Sequence, residues 1–353
     1  MTEKDLKSVI SILKGEKSPV ISDWYAVLGF LLSHRVAGLF YNRVGDSGVE
    51  LPKKIEKILS GIYEKQREKV VFMRKELSII TQKLSEKEVP YMLLKGSVLS
   101  NICEDDTIIY ADGERVSNDI DLLSLQDGIT AISKVLSELG FVQGRYDSDL
   151  DVIKEFSRSE IVKRRMNRGE VAPFVKKTGN DEFPFVEVDI NFSLGNTPAK
   201  GVALAKEMID MGIEHKQKVL MRVPNGELFF LHLIMHQYKE NCLMFMVERS
   251  KDLDLYKLAD IYYLFKANIL DTEYLESLVE KYLLQQEIGT VLKQVGEIFM
   301  DEEILDYANK FNSRVPFVID YDNNKKYEWN GTVIQRLCSF DSKKFLREVE
   351  YDK

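Results

Sequence analysis

The feature that most constrains this chain is a pair of aspartates in a short apolar segment, Asp119–Ser124 (DIDLLS). Successive side chains of a β-strand point to opposite faces, so Asp119 and Asp121 share one face while Ile120 and Leu122 turn towards a core. Two neighbouring carboxylates repel each other unless a cation lies between them, and hard oxygen ligands of this kind suit Mg²⁺. The segment therefore predicts a strand that carries a metal-binding face.

A second segment, Phe185–Leu194 (FVEVDINFSL), alternates polar and apolar residues and is predicted to be another strand. Its polar residues Glu187, Asp189 and Asn191 share one face. If this strand lies beside the first, one of its carboxylates could complete a site in which two metal ions hold the attacking and leaving oxygens of a phosphoryl displacement. The residues alone leave Glu187 and Asp189 as alternatives for this third acid.

A predicted strand at Val89–Leu94 ends in a Gly-Ser turn, Lys95-Gly96-Ser97, which is expected to open a helix. Glycine lets the backbone approach a ligand closely, and free N–H groups at a helix start attract anions. The turn therefore predicts a binding site for a triphosphate, and Lys95 beside it could pair with a phosphate as a point charge.

A further candidate is Arg115, four residues before Asp119. Its guanidinium could steer a triphosphate, or it could hold the aspartate loop by pairing with an acid. The two roles are compatible, and both place this arginine close to the predicted metal-binding strand.

Charge and cysteine content narrow the class of protein. The chain has 49 Lys and Arg against 57 Asp and Glu, a net charge of −8, so generic DNA binding is not expected. Its three cysteines form no CxxC pair, which argues against a disulfide framework or a zinc ribbon. No segment has the pattern of a signal peptide or the ~20 apolar residues that span a bilayer. We expect a reduced, cytoplasmic protein without membrane partners.

The hydrophobic periodicity predicts three regions along the chain. Residues 1–85 have helical periodicity, residues 86–200 mix strands and helices, and residues 201–353 return to helical periodicity. The middle region indicates an α/β or α+β core. The individual helices predicted outside the N-terminal region are Ile129–Leu139, which Gly140 closes, and Glu227–Tyr238, Leu253–Phe265, Thr272–Tyr282 and Glu287–Met300.

Two other features have competing interpretations. His232 and His236 share a helix face at i, i+4, but the glutamate of HExxH is missing, so we expect packed or hydrogen-bonded histidines lining a cleft rather than zinc ligands. Residues 154–177 carry eight Lys and Arg against three Glu. A solvated loop is the simpler interpretation, whereas a phosphate-rich acceptor such as RNA could use the positive charge.

The order of a Gly-Ser turn, a DxD strand and a later strand with an acid resembles the nucleotidyltransferase superfamily typified by DNA polymerase β. The chain is most similar to a bacterial group within it, the uncharacterised nucleotidyltransferases. The segments that carry the resemblance are Trp24, His34–Tyr41, Pro90–Ser100 (PYMLLKGSVLS), Arg115–Leu123, Val186–Leu194 (VEVDINFSL), Leu228–Lys239 (LFFLHLIMHQYK) and Asp254–Phe265 (DLYKLADIYYLF).

The resemblance implies an α+β fold: a polymerase-β-like core of mixed β-sheet and helices at 86–200, flanked by helical regions at 1–85 and 201–353. It implies that Gly96 and Ser97 contact nucleotide phosphates. It also implies that Asp119 and Asp121 bind two magnesium ions and that Asp189, as the third acid, helps to activate an acceptor hydroxyl. The implied reaction moves a nucleoside monophosphate from a nucleoside triphosphate such as ATP to an acceptor and releases pyrophosphate.

The sequence departs from the family pattern at two places. An acidic insert, Glu104-Asp105-Asp106, lengthens the connection between Gly96 and the DxD strand, and Asn191 stands where the group often has histidine. The acceptor stays open between a small molecule, a peptide, a protein and RNA. The alternatives are a toxin-type nucleotidyltransferase that modifies tRNA or protein, and a non-catalytic binding protein on the same scaffold.

Overall fold

The computed structural model describes residues 1–17, 19–101, 103–104, 107–168, 170–194, 198–215 and 219–350. Its α-helices are α1 (Glu3–Leu13), α2 (Trp24–Ser33), α3 (Ala37–Ser47), α4 (Lys53–Glu86), α5 (Lys95–Leu99), α6 (Ile129–Glu138), α7 (Arg158–Arg168), α8 (Pro198–Asp210), α9 (Gly226–Asn241), α10 (Met244–Val247), α11 (Leu255–Lys266), α12 (Thr272–Tyr282), α13 (Gln285–Phe299), α14 (Glu302–Asn309) and α15 (Val333–Leu337). Its strands are β1 (Met92–Leu93), β2 (Cys103–Glu104), β3 (Thr107–Ile108), β4 (Ile120–Leu123), β5 (Val142–Asp147), β6 (Val152–Glu155), β7 (Phe174–Lys177), β8 (Phe185–Asn191), β9 (Ile213–His215), β10 (Met221–Val223), β11 (Val318–Asp320), β12 (Lys325–Trp329) and β13 (Leu346–Val349).

The chain forms two compact units. The sheet unit is Gln66–Phe229, and the helical unit combines Met1–Lys65 with Phe230–Lys353. The sequence-based division into 1–85, 86–200 and 201–353 stays a prediction about domain boundaries.

The sheet unit is built on a six-stranded sheet with the order β1-β4-β8-β7-β5-β6. Strands β4 and β8 pair in parallel, and the other neighbouring pairs are antiparallel, so the sheet is mixed. The α+β class predicted for this region is confirmed.

Strand β8 shows how the sequence pattern becomes a two-sided strand. Val186, Val188 and Ile190 are fully buried, while Glu187 and Asp189 on the other face are half-buried. Because apolar burial favours one face only, the alternation fixes which side chains face the core. The polar face of this strand is therefore left for ligands.

The helical predictions in the sheet unit and the helical unit are confirmed to within a few residues. Helix α6 ends where predicted, because Gly140 takes a left-handed conformation with φ +85° and the Phe141 N–H donates to the Leu136 carbonyl at 2.9 Å. Helix α2 begins where the Asp23 carboxylate accepts from the backbone N–H groups of Tyr25 and Ala26.

The helical unit has a core of its own. Helix α13 buries most of its side chains, and the ring of Phe299 stacks on Tyr262 with centroids 4.1 Å apart. A buried ion pair joins Arg336 to Asp252 at 2.9 Å, and the Arg336 guanidinium lies 3.4 Å from the centre of the Trp329 ring. Burial of both charges is tolerable because they are paired.

The helices predicted beyond residue 200 are confirmed, but the described part of that region also contains five strands, β9 to β13, that were not identified from the sequence. They are short, between three and five residues each, so their period-2 signal is weak. The basic segment 154–177 is not a loop, because it contains the end of β6, helix α7 and strand β7.

Over the part of the chain that the structure describes, no helix is both long enough and apolar enough to cross a bilayer.

Candidate active site

Three aspartates converge at the polar face of the sheet, where β4 and β8 lie side by side. Asp121 in β4 is the direct neighbour of Asp189 in β8 in the parallel register, and Asp119 immediately precedes β4. One carboxylate oxygen from each of the three lies within 4.8 Å of the other two. Asp121 is buried at 2% exposure, and the other two are half-buried. We call this set the aspartate triad.

Ser117 fixes the first member of the triad. Its Oγ donates a hydrogen bond to Oδ1 of Asp119 at 3.0 Å. The same serine packs against Gly96, since a Cβ placed on Gly96 would lie 2.7 Å from Ser117 Oγ and 2.8 Å from Ser117 Cβ. Contacts this short do not occur between real atoms of this type, so the position next to Ser117 accepts glycine only. The Gly-Ser turn and the DxD strand are therefore in direct contact.

Lys95 is also part of the site. Its Nζ lies 2.7 Å from Oδ1 of Asp121 and donates a hydrogen bond to it. The Lys95 backbone has φ +50°, in the left-handed region. A non-glycine residue rarely adopts this conformation, which costs of order 1–3 kcal/mol and persists where the surroundings enforce it.

Burial and repulsion change the protonation of the triad. Burial, opposed by the Lys95 ammonium and reinforced by the Asp119 carboxylate, raises the pKa of Asp121 to about 6. Burial and repulsion by Asp121 and Asp119 raise the pKa of Asp189 to about 8. The same two causes raise the pKa of Glu187. A site that disfavours its own negative charges in this way is suited to a cation.

The pocket beside the triad has a polar wall and an apolar wall. Its lining includes Gly96, Ser97, Ser117 and Asp119, and helix α4 closes the other side. The α4 side chains in the lining are Val70, Met73 and Leu77. Ser97 Oγ is buried and has no hydrogen-bond partner among the described residues. Burying a hydroxyl without a hydrogen-bond partner costs free energy. The unpaired Ser97 Oγ therefore indicates that the pocket binds a ligand with a polar group.

Arg115, Asn191 and Glu187 were also named from the sequence as residues of the predicted site. Arg115 is half-buried and close to Gly96, and its Nη1 donates to the Val116 carbonyl at 2.6 Å. Asn191 is buried and its Nδ2 donates to the Leu122 carbonyl at 3.4 Å, so it links β8 to β4. Glu187 shares the polar face of β8 but does not belong to the group of three mutually close carboxylates.

His232 and His236 belong to α9 in the helical unit, with ring centroids 6.3 Å apart. Within the described ranges, neither histidine belongs to a group of three or more side chains that could share a metal ion. Of the acidic insert, Asp105 and Asp106 lie outside the described residues.

Two hydrogen bonds of the site were not predicted from the sequence. The hydrogen bond from Ser117 to Asp119 had a local signal, because a serine two residues before an aspartate often bonds to it. The pairing of Lys95 with Asp121 joins residues that are 26 positions apart, and no local pattern encodes it.

The donor set fits magnesium. All three ligands are carboxylates, which are hard donors, and their oxygens are close enough together to share a small cation. Burial and mutual repulsion raise the pKa values of Asp121 and Asp189 even beside the Lys95 ammonium, so further positive charge would stabilise the three carboxylates. The residues thus suit a divalent cation, although they do not by themselves determine the number of ions.

We predict that divalent-cation affinity rises with pH. Because the pKa of Asp189 is about 8 without a cation, this carboxyl is protonated at pH 7 and a cation must displace its proton. Below pH 8, one competing proton lowers the apparent affinity up to about tenfold per pH unit. Mn²⁺ binding measured by electron paramagnetic resonance should strengthen from pH 6 to pH 8 and then level off.

The matched control for this pH dependence is Asp189→Asn. This variant should bind Mn²⁺ more weakly and should lose the dependence between pH 7 and pH 8, because the titrating group is gone. Equal affinity of the unaltered protein at pH 6 and pH 8 would contradict the prediction.

A mixed sheet with aspartates on adjacent parallel strands, next to a Gly-Ser turn, defines a nucleotidyltransferase-type protein. The sequence profile of the family described as uncharacterised nucleotidyltransferase matches residues 22–300, which include the whole sheet unit. The chain belongs to this family. In the comparison with curated proteins, none matches the chain.

Proposed function

We propose that this protein is a magnesium-dependent nucleotidyltransferase. It transfers a nucleoside monophosphate from a nucleoside triphosphate to an acceptor and releases pyrophosphate. The observation that carries the proposal is that one pocket is lined by Gly96, Ser97 and the triad residue Asp119. The groups proposed to bind phosphate and one of the carboxylates proposed to bind metal thus face the same space, as phosphoryl transfer requires.

The Gly-Ser turn is proposed to bind the triphosphate. Gly96 has no side chain between its backbone and the pocket, and Ser97 Oγ is a buried donor without a partner in the described residues. A phosphate oxygen would accept the hydrogen bond that the protein leaves unmade. Arg115, near Gly96, is proposed to add positive charge for the same phosphates.

The triad is proposed to hold the magnesium ions and to position the acceptor. Bound divalent ions would supply charge neutralisation for the phosphates and for the developing transition state. Asp119, kept in place by Ser117, and Asp121, buried in β4, orient the donor side. Asp189 on the neighbouring strand is proposed to help remove the proton of the acceptor hydroxyl.

For the acceptor, one observation favours a polyanion such as RNA. Helix α7 exposes Arg158 and Lys163, and its Arg164 lies over the Phe156 ring at 4.3 Å. The charge of Arg164 acts on Glu187, where it opposes the rise in pKa. Arg164 is thus close enough to act on the polar face of β8, which also carries Asp189, and phosphates of an acceptor are proposed to bind along α7. Transfer of label to RNA, weakened by salt, would support this acceptor over a neutral small molecule.

The first test of the proposal is thermal unfolding with each of the four ribonucleoside triphosphates, with and without Mg²⁺. A ligand at 100 times its Kd adds about 2.7 kcal/mol to the stability of the native state. We expect at least one triphosphate to raise Tm by a few degrees, and only with Mg²⁺. No shift with any of them, in folded protein, would contradict the proposal.

The same titration with Ser97→Ala tests the phosphate site. Removing the hydroxyl should not lower the stability of the free protein and should raise it slightly, because Ser97 Oγ is buried without a partner among the described residues, and it should weaken nucleotide binding about tenfold. Ser124→Ala is the matched control, since the buried Ser124 Oγ donates to the Leu125 carbonyl at 3.0 Å. The Ser124→Ala variant should have lower stability and unchanged nucleotide affinity. A Ser97→Ala variant that keeps its nucleotide affinity, or a Ser124→Ala variant that loses it, would contradict the phosphate site.

A further inference from the structure

Lys95 and the preceding residue, Leu94, both hydrogen-bond to Asp121. The Lys95 Nζ lies 2.7 Å from Asp121 Oδ1, and the Leu94 N–H donates to the Asp121 carbonyl at 3.0 Å. The Lys95 side chain is 24% exposed and that of Asp121 only 2%. Such a pair is more than a surface contact, because a buried carboxylate without a partner is strongly destabilising.

The backbone keeps the ammonium at this position. Lys95 has a left-handed φ of +50°, and the next residue, Gly96, is held against Ser117 with no room for a Cβ. The strained turn therefore presents the lysine side chain to β4, where Asp119 and Asp189 share the face of Asp121. Its positive charge lies against the carboxylate of Asp121, one of the three residues that could hold a metal ion.

We propose that the Lys95 ammonium is the resident counter-cation of the triad, and that a divalent ion displaces it from Asp121. In the cation-free protein the lysine compensates the buried carboxylate and lets the site stay folded. When the site is loaded, the Asp121 carboxylate would hold the ion instead, and the Lys95 ammonium would be released from it. This inference deepens the proposed function, since the released charge would then be free to bind triphosphate.

The inference predicts competition between lysine and metal. Removing the ammonium leaves the carboxylates uncompensated, so divalent ions should bind more tightly and not more weakly. A unit charge a few ångströms away in a partly buried site has a large effect, and we expect the affinity for Mn²⁺ to rise at least about tenfold. If Lys95 instead supported metal binding, removing its ammonium would lower the affinity for Mn²⁺.

The experiment measures Mn²⁺ binding to the full chain by electron paramagnetic resonance, without nucleotide. Lys95→Met should bind at least about tenfold more tightly, and Lys95→Arg, which keeps the positive charge, should not show this gain. Lys176→Met is the matched control: Lys176 pairs with Glu76 at 2.6 Å in the sheet unit, with side-chain exposures of 20% and 16%. Its Mn²⁺ affinity should not change.

A second measurement needs no variant and keeps the inference testable if Lys95→Met does not fold. Acetylation of Lys95 in the unaltered protein, followed by mass spectrometry, should increase severalfold when Mn²⁺ saturates the site, relative to Lys176. Unchanged acetylation, or a Lys95→Met variant that binds Mn²⁺ no better, would overturn the inference while leaving the proposed function intact. Absence of Mn²⁺ binding in every variant would overturn both.

Discussion

Replacing Asp119 with asparagine should reduce magnesium-dependent nucleotide transfer on the order of a thousandfold, because one metal-binding charge is lost. Asparagine keeps the size of the side chain and an oxygen that accepts the hydrogen bond from Ser117, which is 3.0 Å long in the native protein. Asp119 is also only half-buried. The fold should therefore persist, with Tm close to that of the unaltered protein. The measurement is pyrophosphate release with the triphosphate that shifts Tm.

The control for this variant is Asp210→Asn. Asp210 is an acid of the same unit, at the end of α8, and pairs with Lys206 on the surface at 2.5 Å. Exposed pairs of this kind contribute little, so turnover should be unchanged. An Asp119→Asn protein that keeps its turnover would refute the assignment of the triad as the metal site. A variant that unfolds would instead show that Asp119 has a structural role.

Gly96→Ala is expected to weaken nucleotide binding on the order of a hundredfold, because the new Cβ cannot coexist with Ser117 where it stands. The distances from this Cβ would be 2.7 Å to Ser117 Oγ and 2.8 Å to Ser117 Cβ. Ser117 must move away, and with it the hydrogen bond that orients Asp119. The variant therefore perturbs the turn and the triad together. Calorimetric titration with the magnesium–triphosphate complex measures the loss.

A second substitution tests whether this contact is the cause. Ser117→Gly removes both atoms that the new Cβ would meet, so the double variant Gly96→Ala/Ser117→Gly should recover part of the affinity. Gly61→Ala in α4 is the matched glycine control, since a Cβ there meets no atom within 4 Å. It should leave binding unchanged and stabilise the helix by up to about 1 kcal/mol. A double variant that binds no better than Gly96→Ala would contradict the steric explanation.

The strands of the site were predictable because their signal is local. The alternation of Val186, Val188 and Ile190 with Glu187 and Asp189 follows directly from the two-residue repeat of a strand, and burial in the structure reproduces it. The longer helices were predictable for the same reason, because their apolar stripes recur every three or four residues. The C-terminal strands were missed because each offers too few residues to establish a period.

The sequence by itself determined the α+β class, the aspartates on one face of a strand, and the resemblance to a family that the profile match confirms. Only the tertiary structure decided that β4 and β8 pair in parallel with Asp121 opposite Asp189. The same holds for the pairing of Lys95 with Asp121 and for the contact of Gly96 with Ser117. Side-chain periodicity is set by the backbone of each segment, whereas strand pairing and register depend on contacts between distant segments, which no single segment encodes.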